Sequence, residues 1–156
     1  MQNRWALNAA TALRVTGAVY AAAIIAHGAD HLRRGLDAVT PEVFWAGIAG
    51  AFLAGIAIAA ALVAGRSAGA LAVVVGLPSA LGIAAVHLLP GWGPFSDSFW
   101  KPGTAAASWA AVSFEIIAAL AFATAGVTCM RASSEERRGE TVSSELTQAS
   151  VTLPPR

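Results

Sequence analysis

The chain has 156 residues, the size of one domain, of which 56% are hydrophobic and only 12% charged. Ordinary soluble domains carry about twice that charge. The net charge of +1, with no basic stripe interleaved with aromatics, excludes a nucleic-acid partner, and the single cysteine, Cys129, excludes both a disulfide framework within the chain and a multi-cysteine metal site.

Charge is segregated along the chain. No ionisable group falls between Val43 and Gly65, and between Ser67 and Leu89 the sole one is His87. Apolar runs of about 20 residues match the hydrocarbon thickness of a bilayer. Lipid admits only helices or a closed barrel, because backbone polar groups must pair internally. Unbroken runs without two-residue alternation select helices. The fold class is therefore all-α, a polytopic membrane four-helix bundle occupying residues 1–130 with the lipid bilayer as its partner.

Helix one is predicted from about Ala9 to Leu32, closed by Gly35. A cleavable signal peptide competes for this segment, since Arg14 leaves a purely apolar core of twelve residues, Val15 to Ala26. Helix two is predicted over 41–64, opened by Thr40 as N-cap, Pro41 in the first turn and Glu42 beside it. Its small residues Gly47, Ala51 and Gly55 recur every four positions, which allows close helix approach in lipid. Packing within the chain is the simplest use of that face. A homo-oligomer, or a partner in a membrane complex, is the other. Helix three is predicted over 67–89, stopped by Pro90-Gly91, and helix four over 105–130, capped by Thr104.

From 131 to 156 the sequence RASSEERRGETVSSELTQASVTLPPR is polar and rich in Ser, Thr and Glu. It cannot bury enough apolar surface to offset ordering, which predicts a disordered tail. With both termini cytoplasmic, Arg4, Arg14, Arg66, Arg131, Arg137, Arg138 and Arg156 lie inside and Arg33, Arg34 and Lys101 outside, seven against three. The positive-inside rule selects that orientation. Phe44, Trp45, Trp92, Phe95, Phe99 and Trp100 then form an outer aromatic belt, and Trp5 an inner anchor.

On a helix, residues at i, i+3, i+4 and i+7 share a face. Thr16, Tyr20, His27, Asp30, His31 and Arg34 form one such stripe on helix one, with Arg33 turned off it as part of the interfacial stop. Thr104, Ser108 and Glu115 form another on helix four. Polar stripes in membrane helices face the bundle interior, where lipid does not have to solvate them. Helices one and three both run outward, which brings His27, Asp30, His31 and His87 to the outer end. Glu115, ten residues into helix four, falls about 15 Å below the surface, level with Tyr20 and Ser79. This predicts an outer His/Asp layer above a midplane layer around Glu115.

Three uses of this arrangement compete. His27, Asp30, His31 and His87 supply the ligand types for a transition metal, with an open position left for chemistry. His27 and His87, at matched depth on two helices, would be the axial pair if a haem bound instead. Without a cofactor, Tyr20, Ser79, Ser108 and Glu115 would line a proton or small-solute path, or stabilise a non-catalytic accessory subunit. The segments HGADHLRRGLD, TPEVFWAG and GLPSALGIAAVHLLPGWGPFSDSF resemble those of small four-helix membrane proteins of actinobacteria. The resemblance covers about Ala9 to Gly126 and implies the same architecture in a bacterial plasma membrane.

Overall fold

A computed structural model describes residues 2–151. Its elements are α1 (Gln2–Arg34), a short 3-10 turn (Leu36–Ala38), α2 (Pro41–Leu62), α3 (Ala68–Leu88) and α4 (Ala106–Val151). All four α-helices contain stretches long and apolar enough to cross a membrane, and no strand occurs among the described residues. The chain is a multi-pass helical membrane protein.

Local chemistry sets the helix limits. Thr40 accepts a hydrogen bond from the Val43 amide, and Pro41 and Glu42 follow in the first turn of α2, as the sequence predicts. At the far end Ala64 takes a left-handed conformation, φ 54°, so that the Gly65 and Ala64 amides close on the Ala60 and Ala61 carbonyls. Thr104 does not cap α4. Its hydroxyl donates to the Lys101 carbonyl instead, and the helix begins two residues later. α1 starts seven residues before the apolar run does, since Gln2 to Asn8 contains no breaker and continues the same turn.

α4 packs along α3 and α1, while α2 packs against α3 and α1. The short α1–α2 and α2–α3 links make those neighbours antiparallel, and the close approaches of Gly69 to Gly126 and of Gly76 to Ala119 give α3 and α4 the same antiparallel register. The α3–α4 contact is backbone against backbone. A Cβ on Gly126 would stand 2.6 Å from the Gly69 carbonyl oxygen, and one on Gly76 would stand 2.8 Å from the Ala119 carbonyl oxygen. The core between the helices is built of alanines with a few larger side chains, Leu13, Tyr20, Ile58 and Phe122. Small side chains suit a bundle in lipid, where association rests on close van der Waals packing.

Helix two turns a different face inward from the one its glycines mark. Ala54, Ala57, Ile58 and Ala61 are buried, whereas Gly47, Ala51 and Gly55 are exposed, and a Cβ on either glycine would meet no atom within 4 Å. Packing within the chain is therefore not the use of the Gly47/Ala51/Gly55 face. A helix made of Ala, Gly and aliphatics all round satisfies several faces equally, so spacing alone did not choose.

From 131 the chain, expected to be disordered, has little to pack. α4 continues as helix to Val151, yet Ala132 is the last buried residue in it among those described. Residues 152–156 lie outside the described part.

Candidate metal centre

Two helices deliver one imidazole cluster to one end of the bundle. His27 and His31 sit one turn apart on α1, and their ring centroids are 4.6 Å apart. His87 comes from the last turn of α3, 5.0 Å from His27 and 5.7 Å from His31. One ligand atom from each ring lies within 4.8 Å of the other two. His27 and His87 are both buried, and His31 is half-buried.

Each buried ring is held from behind. The His27 Nδ1–H donates to the Glu115 carboxylate of α4, in a close buried pair. The His87 Nδ1–H donates to the Asp97 carbonyl oxygen at 3.0 Å, with the Asp97 carboxylate 3.6 Å away. A neutral imidazole that donates through Nδ1 keeps its lone pair on Nε2. The His27 Nε2 is buried and has no hydrogen-bond partner among the described residues.

The two layers expected from the sequence are thus one. Counted from the helix ends, His27 lies seven residues below the top of α1 and Glu115 nine below the top of α4, roughly 10 and 14 Å. The side chains bridge the difference. Below them Tyr20 is 1% exposed and packs against Phe122, its hydroxyl hydrogen-bonded with Ser79 and within electrostatic reach of Glu115.

Asp30 is not brought into the histidine cluster. Its carboxylate takes two hydrogen bonds from Arg33, at 2.7 and 3.1 Å, and pairs with Arg34 at 3.3 Å. Nor does Arg33 simply point to solvent: it also donates to the fully buried Ser108 hydroxyl at 3.1 Å. Two guanidiniums three and four residues away along the same helix offer Asp30 nearer, charged partners than any metal between the rings.

The loop between α3 and α4 supplies what sequence reasoning missed. The last four carbonyls of a helix have no partner inside it. In α3 these are Ala85, Val86, His87 and Leu88, and they accept from the Trp92 indole, the Asp97 amide, the Phe99 amide and the Trp100 indole. That folding lays Asp97 over the cluster. Its carboxylate is held by Arg34 at 2.5 Å and Lys101 at 3.1 Å. Burial alone works to raise the Asp97 carboxyl, but hydrogen bonds and charge from Arg34 and Lys101 outweigh it and hold the group below the ordinary carboxylate range. Phe99, expected in the aromatic belt, is buried instead, 4.7 Å from the His87 ring and packed on Trp109. The other belt residues, Phe44, Trp45, Trp92, Phe95 and Trp100, are exposed. A cleft of about 390 Å³ opens above Asp97, between this loop and the α1–α2 turn, lined by Thr40, Ser96 and Lys101 among others.

Two imidazoles in edge-to-face contact at 5.0 Å leave no gap for a macrocycle, so the haem arrangement, with iron between His27 and His87, has no room here. A small ion is a different matter. Ligand nitrogens about 2.1 Å from one metal are at most about 4.2 Å apart. With ligand atoms within 4.8 Å of one another, the rings would have to draw in by about half an ångström or more to close on one ion. No known protein family, curated protein or solved structure matches the chain. The fold and the cluster define its class by themselves: a multi-pass helical membrane protein with three histidines gathered at one end of the bundle.

Proposed function

We propose that His27, His31 and His87 bind a late first-row transition-metal ion at the outer face of a bacterial plasma membrane, with both termini in the cytoplasm. The observation that carries this reading is the pair of Nδ1 anchors. Glu115 and the Asp97 carbonyl fix the tautomers of His27 and His87, and the His27 Nε2 has no partner among the described residues. Acceptors behind ligating histidines, carboxylates above all, are the usual second layer of metal sites, where they orient the ring and raise its basicity. Three imidazoles without a thiolate suit Zn²⁺, Cu²⁺ or Ni²⁺ better than Mg²⁺ or Ca²⁺. Three protein ligands also leave a coordination position open for a substrate or water.

The placement of the termini follows from the Arg and Lys distribution, and the bacterial membrane from the resemblance to four-helix proteins of actinobacteria. Zinc binding to detergent-purified protein tests the site. Stoichiometric binding that is lost in His27→Gln and His87→Gln supports it. Equal binding by the wild type and both variants overturns it.

One observation favours a second reading. Tyr20, Ser79, Glu115 and His27 form a polar chain leading inward from the cluster, as a proton or small-solute path in an accessory or transport subunit would need. Proton flux in proteoliposomes, abolished by Glu115→Gln without any metal, would select it.

A further inference from the structure

The three imidazoles are held by unlike partners. His27 and His87 donate through Nδ1 to acceptors, which leaves each Nε2 with a lone pair. His31 is held the other way round. Arg34 Nη2 lies 3.0 Å from the His31 Nδ1. A guanidinium has donors only, so Arg34 donates and the His31 Nδ1 accepts. The neutral ring then carries its proton on Nε2.

Either nitrogen of His31 is therefore obstructed. Nδ1 is occupied by Arg34. Nε2 becomes a ligand only if the ring proton moves to Nδ1, where it would face an N–H of Arg34. Arg34 is also fixed in place, with its side chain 12% exposed, Asp97 at 2.5 Å, Asp30 at 3.3 Å, and its guanidinium 5.3 Å from the centre of the Phe99 ring. Arg33, by contrast, is half-exposed and bonds only Asp30 and Ser108 among the described residues.

We infer that Arg34 makes the third ligand conditional: it is the resident cation that a metal ion must displace from His31, and so the residue that sets the affinity of the site. The inference rests on the metal reading above. Asp97 and Asp30 retain the displaced guanidinium, so release from His31 requires neither opening of the loop nor an unpaired buried charge. An ion with strong imidazole affinity completes the three-histidine site. An oxygen-seeking ion such as Mg²⁺ leaves Arg34 on His31. The site is thereby tuned toward reversible capture rather than permanent structural binding.

The chain has three histidines, so ¹⁵N-histidine labelling of the full-length protein in detergent reports every ring. In metal-free protein His27 and His87 are expected to carry the proton on Nδ1 and His31 on Nε2. Zn²⁺ is expected to end the Nε2–H state of His31. A metal-free His31 protonated on Nδ1 overturns the inference without any substitution. As a second arm, Arg34→Gln is expected to bind Zn²⁺ about ten- to a hundredfold tighter, the equivalent of one charged hydrogen bond no longer displaced. The gain should vanish when His31→Gln is added. Zinc binding that Arg34→Gln leaves unchanged or weakens removes the inference alone. No zinc binding by either protein removes the metal reading and this inference with it.

Discussion

The His27 imidazole rests on the Glu115 carboxylate, 88 residues away in the chain, and this buried pair ties α1 to α4 at the level of the histidine cluster. It gives the intramembrane carboxylate a partner and the histidine a defined tautomer. Each residue accounts for the other.

Substitution at Glu115 separates those two roles. Glu115→Gln keeps an oxygen to accept from the His27 Nδ1–H but loses the charge. It is expected to leave the fold intact and weaken zinc binding by about 10- to 100-fold, the usual cost of removing a carboxylate behind a ligating histidine. Glu115→Ala also leaves a buried donor unpaired and is expected to lower stability by about 1–3 kcal/mol. Zinc titration and thermal melts in detergent measure the two effects.

Close packing of α3 on α4 gives a sharper prediction about the bundle. Gly126→Ala would drive a methyl to 2.6 Å from the Gly69 carbonyl oxygen, where neither backbone can yield alone. A cost of about 1–3 kcal/mol is expected from overpacking, read as a lower melting temperature in detergent. Gly47→Ala is the control. Its methyl meets nothing within the chain, so the melt of the monomer should be unchanged or slightly raised by the better helix former.

Much of this architecture was legible because lipid simplifies the code. Four apolar runs and their Pro/Gly punctuation gave the helices, and helical spacing placed His27, His31, Tyr20 and Glu115 on inward faces. What escaped had no periodic signal. Asp97 and Phe99 lie in an irregular loop, and only the need of α3 for four acceptor-satisfying donors brings them over His87. Asp30 looked like a ligand because its spacing matched, but a sequence does not tell whether a carboxylate turns to a metal or to the arginines beside it. The inward face of α2 was hidden by uniformity, since small residues cover every side of that helix.

Asp97 is expected to hold the α3–α4 loop down. It is 4% exposed and joins Arg34, Lys101 and His87. Asp97→Asn removes the charge from this group. Breaking a buried pair costs roughly 3–5 kcal/mol, and the lower end is expected because Asp30 still pairs with Arg34. Hydrogen exchange reads it locally. The amides of residues 97 and 99, which bond the Val86 and His87 carbonyls, should exchange faster in the variant while those of α2 stay unchanged.

Zinc itself is expected to stabilise the protein, because the three rings converge only in the folded bundle. A ligand that binds the folded state alone adds about 2.7 kcal/mol at a concentration 100 times its dissociation constant. The melting temperature should therefore rise with Zn²⁺, fall back on adding a chelator, and stay put with Mg²⁺. His87→Gln should abolish the rise. A shift of equal size in His87→Gln would place the zinc elsewhere on the chain, away from the three imidazoles.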